Sequence, residues 1–363
     1  MRSAFPPLSL CVGRVLGVVV VALVTLVLAS FGRPLRPLDI WFIDVEGGQA
    51  TLIVTPAGES MLIDAGYSPR NWRGATPAVV PDGRDPSRIL AAIREAGLTR
   101  LDYLLITHFH PDHVGGVPEV AARVPIGTFL DYGAPATDDA STLNWFHNYE
   151  PVSASGRHVV VKAGDRIPLV GVEMDVVSAA GAVVATPLAG AGSPSERCTR
   201  AEDYPEDGTE NHRSVGVVVQ YGRFRFLDVG DLSGNTLTRL ACPRDLVGPV
   251  SVYLIAHHGD YDTSVPALYA ALRPRVAVMN NGPQRGGDPE AFRAVRSGPG
   301  LEDLWQLHAS QVDGAENAAD GYIANLDGGV TSYALHLTAS PDGSFRIVNA
   351  RTGVGKRYEA RRP

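Results

Sequence analysis

Leu101-Asp102-Tyr103-Leu104-Leu105-Ile106-Thr107-His108-Phe109-His110-Pro111-Asp112-His113-Val114-Gly115-Gly116 is the stretch around which the chain is organised. Leu101–Ile106 is an apolar run too short for an ordinary helix, and Pro and Gly follow closely, so it reads as a buried strand. The strand runs out into His108, His110, Asp112 and His113. Neutral imidazole nitrogens together with a carboxylate oxygen suit zinc or a similar divalent ion. Gly115-Gly116 lets the backbone pass close to such a site. A polar loop with exposed histidines is the plain alternative. Against it stand two further strand ends of the same chemistry: Phe224–Val229 runs into Gly230-Asp231, and Val250–Ala256 into His257-His258-Gly259.

The 363 residues can form one large domain or two small ones. Hydrophobic residues make up 45% and charged residues 20%, the ordinary balance of a globular protein with a sizeable core. A net charge of −7 argues against a broad basic surface for non-specific nucleic-acid binding, though not against a small cationic groove. Lys occurs only at positions 162 and 356, a compositional bias without functional meaning.

Val15 to Phe31 is almost wholly apolar and follows Arg2 and Arg14, which reads as a secretory signal or a single membrane anchor over residues 1–32. A buried core helix is the alternative. Either form of leader places the main domain outside the cytoplasm, as a periplasmic, secreted or membrane-anchored protein. Residues 33–37 are a proline-punctuated linker. Cys198 and Cys242 remain beyond the leader and are expected to pair in an oxidising compartment, with two unpaired buried cysteines as the alternative.

Leu38–Val45, Ala50–Thr55 and Ser60–Ile63 form a meander of short strands, the third ending in Asp64-Ala65-Gly66. Ser68 to Asp85 reads as a loop lying over the site, and Pro86–Ala96 as a helix capped by Asp85 and stopped by Gly97. Tyr132 to Glu210 is the least regular part. In it, Asn144–Tyr149 is an aromatic patch that reads as a helix packing face rather than a substrate wall, and Gly190 to Asp207 is a long loop. Strands and helices then alternate to Leu326, and Ser332–Thr338 with Phe345–Asn349 forms a hairpin turning at Pro341-Asp342-Gly343.

His-Phe-His-Pro-Asp-His resembles the His-x-His-x-Asp-His signature of the metallo-β-lactamase superfamily. Within it, the chain looks most like the hydrolase-like domain of DNA-internalisation competence proteins and their free-standing relatives. The resemblance rests on Ile43–Gln49, Met61–Gly66, Asn211 with Ser214, Phe226–Asp231 and His257-His258-Gly259. It implies an α/β fold, a four-layer αββα sandwich over residues 38–340 with a C-terminal β-hairpin extension over 341–363. It implies two divalent ions, zinc first and manganese second. One would be held by His108, His110 and Asp231, the other by Asp112, His113, His257 and the bridging Asp231, with His258 as the ligand if the alignment slips by one residue. Asp64 is expected to orient a metal-binding histidine from behind. Asn211 stands where most hydrolytic members carry a histidine, so the first metal is expected to be weaker.

Asp112 is expected to orient the attacking water or shuttle its proton. His258, Asn281, Arg285 and His308 lie on predicted strand ends or loops as candidate substrate contacts. The resulting expectation is a metal-dependent hydrolase, a phosphodiesterase by family analogy, acting on a small-molecule or phosphodiester substrate. The analogy needs separate proof because one fold hosts many reactions. Two alternatives accompany it: hydrolysis of a carbonyl substrate such as a β-lactam or lactone, and a non-catalytic binding protein on a degenerate metal site. The absence of a multi-span channel portion argues against a DNA transporter, and membrane association rests on the N-terminal segment alone.

Overall fold

Short apolar runs separated by turn residues give strands, and here they assemble into two sheets packed face to face. The computed structural model describes residues 1, 36–69, 84–195, 198, 208–327 and 332–361. The expected leader, most of the linker, the centre of the Ser68–Asp85 loop and most of the Gly190–Asp207 loop lie outside the described residues. Among the described residues no helix is long and apolar enough to cross a membrane.

The strands in chain order are β1 (Leu38–Phe42), β2 (Thr51–Val54), β3 (Ser60–Ile63), β4 (Leu101–Leu105), β5 (Ile126–Asp131), β6 (Arg157–Val160), β7 (Arg166–Ile167), β8 (Glu173–Ala179), β9 (Ala182–Val183), β10 (Gly216–Tyr221), β11 (Phe224–Asp228), β12 (Val252–Leu254), β13 (Val276–Met279), β14 (Asp303–His308), β15 (Ile323–Asn325), β16 (Leu335–Ala339), β17 (Phe345–Asn349) and β18 (Gly355–Tyr358). The first sheet has the order β18-β17-β16-β1-β2-β3-β4-β5-β6. The second has the order β15-β14-β13-β12-β11-β10-β8-β7, with β9 on β8. The hairpin of β16 and β17 joins the first sheet, where β16 pairs with β1 in antiparallel register from Leu38 opposite Ala339 to Phe42 opposite Leu335. β18 adds a further strand that the sequence reading did not include.

Alternation along the strands sets the layers. In β10, Val217 and Val219 face the core between the sheets, while Val218 faces an outer core with Leu227, Tyr253 and Ala277. That outer core is covered by the helices Gly234–Arg239, Pro266–Leu272 and Pro289–Arg296. On the first sheet, the helix Arg84–Glu95 buries Ile89, Leu90, Ala92 and Ile93. Sheets within and helices without give the metallo-β-lactamase-type sandwich.

Ala140–Ser153 is a helix capped by the Asp139 side chain, and its Phe146 and Tyr149 rings pack on Phe109 at 5.0 and 5.6 Å between centroids. The aromatic patch is therefore a packing face. Cys198 and Cys242 form a disulfide.

β3, β4 and β5 run parallel in one sheet, and β11 to β15 run parallel in the other. Parallel neighbours end on the same edge, so every ligand-bearing turn leaves a strand on that edge. Between the sheets, the buried Phe226 ring meets Phe42 edge to face at 5.7 Å. Phe226→Ala is expected to cost about 3–5 kcal/mol of stability, read as a lower urea midpoint at unchanged slope.

Candidate metal centre

Asp64 follows β3 with φ of +59°, a left-handed conformation that Asp tolerates better than most residues. The kink aims its buried carboxylate at β4. Thr107 donates its backbone N–H to Oδ1 at 2.8 Å and its hydroxyl to Oδ2 at 2.7 Å. His113 Nδ1 lies 2.7 Å from the same Oδ2. With Nδ1–H donating to Asp64, the neutral form of His113, the form a metal ligand takes, would present the lone pair of Nε2 to the opposite side.

What Nε2 faces is a ligand set. His113 Nε2 lies 3.1 Å from Asp231 Oδ2, 3.5 Å from Asp112 Oδ2 and 3.3 Å from His258 Nε2. His258 Nε2 is itself 3.2 Å from Asp231 Oδ1 and 3.3 Å from Asp112 Oδ2. Asp112, His113, Asp231 and His258 are all buried and converge as one group; His108, His110 and Asp231 converge as a second. Asp231 belongs to both. Gly230 makes this approach possible: at φ of +54°, a Cβ there would stand 2.8 Å from the Thr107 side chain.

The residues fit a divalent pair. Both carboxylate oxygens of Asp231 and Nε2 of His108 are buried without a well-formed hydrogen bond among the described residues. Buried polar atoms are ordinarily satisfied, so unspent acceptors converging in two groups are the arrangement a cation would complete. Burial and the neighbouring imidazoles of His113 and His110 hold His108 well below the ordinary histidine range. Burial also opposes the charge on His113, but Asp231, Asp64 and Asp112 outweigh it and raise that imidazole well above its ordinary value. Desolvation pushes Asp112 and Asp231 up, yet the cationic groups around them hold both well below the carboxylate range.

Of the two adjacent histidines, the structure brings His258 rather than His257 together with Asp112, His113 and Asp231. His257 and His258 both have positive φ, 45° and 56°, and Gly259 follows at 77°. Strand alternation does not survive a turn this tight, so the two rings leave in different directions. His257 Nε2 lies 3.8 Å from Oδ2 of the shared Asp231, and Asp262 holds its Nδ1 at 2.9 Å. Asn211 Nδ2 reaches the same Nε2 at 3.2 Å, and Asn211 Oδ1 is a buried acceptor without a well-formed partner. Asn211 thus sits against His257, beside the shared Asp231.

Two candidate substrate contacts do not belong to the centre. Asn281 is fully buried and spends its Nδ2 on the carbonyls of Gly282 and His308. His308 lies 3.0 Å from Asp44 Oδ1 in a separate cluster with Glu46. That cluster is not a cation site, because Arg84 and Arg88 already neutralise it: Glu46 pairs with both, at 2.6 and 3.1 Å, and Asp44 with Arg88 at 3.0 Å. It braces the loop after β1 instead. Asp262 and Glu210, which receives Tyr132 O–H and the Phe109 N–H, support the site without having been singled out in the sequence. Asp262 lies only five residues after His257, and that spacing is the one local sign of its role.

Behind the ligands, Asp228 accepts both contacts of the Gln49 amide at 3.0 and 3.1 Å. Burial raises this carboxyl from 3.8 to about 7, against the opposing pull of the Gly230 N–H.

Residues 43–197 match the model of the metallo-beta-lactamase superfamily. It is 24% identical over 266 residues to "Recombination protein 2" of Haemophilus influenzae, covering 73% of this chain and 27% of that protein. It is 49% identical over 47 residues to the "Hydroxyacylglutathione hydrolase" of Aliivibrio salmonicida, covering 13% of this chain and 18% of that one. The matches thus span less than a third of either relative. Among solved structures, the metallo-beta-lactamase fold protein YhfI from Bacillus subtilis aligns over 74% of this chain and 96% of its own, with a TM-score of 0.44 and 10% identity.

Two outcomes follow from this geometry. In chelator competition, Asp64→Asn is expected to weaken metal retention about 10–100-fold, and His258→Ala to lower the metal bound per chain while His257→Ala retains more. For Asp228, the raised folded value means that the folded state holds the proton longer than the unfolded one. Its stabilisation is full below 3.8 and is lost as pH rises through about 7. Asp228→Asn is expected to flatten that part of the stability profile in urea titrations of chelator-treated protein.

Proposed function

We propose that the domain is a metal-dependent hydrolase, that its substrate is a phosphodiester, and that it works outside the cytoplasm. The observation that carries the hydrolase reading is the pair of buried ligand groups sharing Asp231. Divalent ions bound there would supply Lewis acidity and a water that deprotonates near neutral pH. The chain's own residues prepare that chemistry. Asp64 fixes the His113 tautomer, and Asp231 ties the two groups at one carboxylate. Asp112, held strongly ionised by Arg285 and the histidines against its burial, is a better orienting acceptor than a proton store.

The phosphodiester preference is supported by the resemblance to the competence-protein branch and by the similarity to Recombination protein 2 across 73% of this chain. Asn211 in place of a histidine supports the same branch. The likeness to hydroxyacylglutathione hydrolases favours a second reading, hydrolysis of a carbonyl ester, but it extends over 47 to 106 residues, against 266 for Recombination protein 2. A non-catalytic binding role fits poorly with so complete a set of ligands. An extracytoplasmic location is supported by the Cys198–Cys242 disulfide, since such bonds persist in oxidising compartments. The apolar Val15–Phe31 segment points the same way.

The test is the metal content of untagged, leader-deleted protein, measured with turnover of bis(p-nitrophenyl) phosphate and of p-nitrophenyl acetate. The expected result is close to two metals per chain, preference for the phosphodiester, and loss of turnover by about 100-fold or more in His110→Ala and Asp231→Ala. Preference for the acetate would favour the carbonyl reading, and a protein that takes up no zinc or manganese would overturn both.

A further inference from the structure

Arg285 brings a guanidinium to the ligand set. Its Nη2 lies 2.6 Å from Asp112 Oδ2, an atom of the second ligand group. Its Nη1 donates to the Tyr67 hydroxyl at 2.6 Å, and the Tyr67 ring centroid lies 6.0 Å from the guanidinium carbon. The side chain is nevertheless 40% exposed, whereas Asp112 is 1% exposed. One end of this cation therefore touches the buried ligands while part of it faces solvent.

The backbone under Arg285 is built rather than incidental. Gly282 N–H closes the turn onto the Arg285 carbonyl at 2.8 Å. A Cβ at Gly282 would meet the Glu46 carbonyl at 2.4 Å, so this turn interlocks with the loop that follows β1. Gly287 N–H donates to the His258 carbonyl at 3.0 Å, which ties the turn to a ligand-bearing segment. Tyr67 is held in its own place by its N–H, which donates to Asp85 Oδ2 at 2.8 Å.

We propose that Arg285, with Tyr67 behind it, is an anion-recognition subsite that binds a non-bridging oxygen of a phosphodiester. This rests on the hydrolase reading above and names what the centre selects. In the chain alone, Asp112 balances Arg285. A divalent pair would more than neutralise Asp112 and Asp231, leaving the guanidinium to face an electropositive centre that a neutral substrate cannot balance and a phosphodiester can. A planar fork suits phosphate oxygens, and a charge fixed beforehand is worth most where charge accumulates.

The test is calorimetric binding of inorganic phosphate to the zinc-loaded protein, with metal content measured on the same samples. Arg285→Ala is expected to weaken phosphate binding on the order of tenfold to a hundredfold at unchanged metal content. Arg285→Lys, which keeps the charge and loses the fork, should fall between Ala and the parent, and it also serves if the Ala variant does not fold. Unchanged phosphate affinity in Arg285→Ala would overturn the proposal, as would loss of metal together with affinity, because Arg285 would then only hold Asp112 in place. A parent protein that binds no phosphate would overturn it as well. Phosphate binding that depends on Arg285 in a protein that hydrolyses no phosphodiester would uphold the subsite and refute the phosphodiesterase reading.

Discussion

The buried carboxylate of Asp64 is the constraint on which the centre depends. It accepts from Thr107 twice and meets His113 on the same oxygen. These contacts lock the end of β3 to the turn after β4, and that turn carries His108, His110, Asp112 and His113. A charge buried without partners would cost several kcal/mol. Here the cost is offset by hydrogen bonds that also decide which nitrogen of His113 faces Asp231 and His258. Removing this carboxylate would disturb fold and site together, because one side chain serves both.

The other half of the centre comes from a different sheet and obeys a different logic. Asp231 follows β11, His257 and His258 follow β12, and the Arg285 turn follows β13. Parallel pairing places these turns side by side, so residues far apart in sequence meet without long connections. The core beneath them is apolar and alternates cleanly, with Val252 and Leu254 facing the first sheet and Tyr253 facing the helices. Packing thus fixes the floor of the site, while the polar groups above are arranged by short turns of unusual backbone conformation.

Much of this was legible in the sequence, for identifiable reasons. Short apolar runs ending in His or Asp marked strand ends, and the order of Asp64, the histidine cluster, Asp231 and the His257-His258 pair carried the family resemblance that implied the sandwich. What escaped the reading depended on geometry without periodicity. The choice between His257 and His258 was open because two left-handed residues in succession break the alternation from which an inward side chain is inferred. His308 stood at a strand end, as a site residue would, but Asp44 on a neighbouring turn claimed it. Asn281 was spent on backbone carbonyls, a fate that no local pattern announces. The helix Ala140–Ser153 was announced by its aromatic patch, whose Phe146 ring packs on Phe109, but not in its full extent.

The place of β1 in the first sheet has a consequence for how the protein comes into being. β1 lies between β2 and β16, and the register pairs Leu38 with Ala339. β1 therefore keeps one hydrogen-bonding edge open until β16, far along the chain, has been synthesised. Such contacts between distant parts of a chain slow folding, and an open edge invites pairing with other chains. During biosynthesis the nascent polypeptide must be kept from aggregating until β16 arrives, and a truncation before Leu335 would leave that edge permanently unsealed.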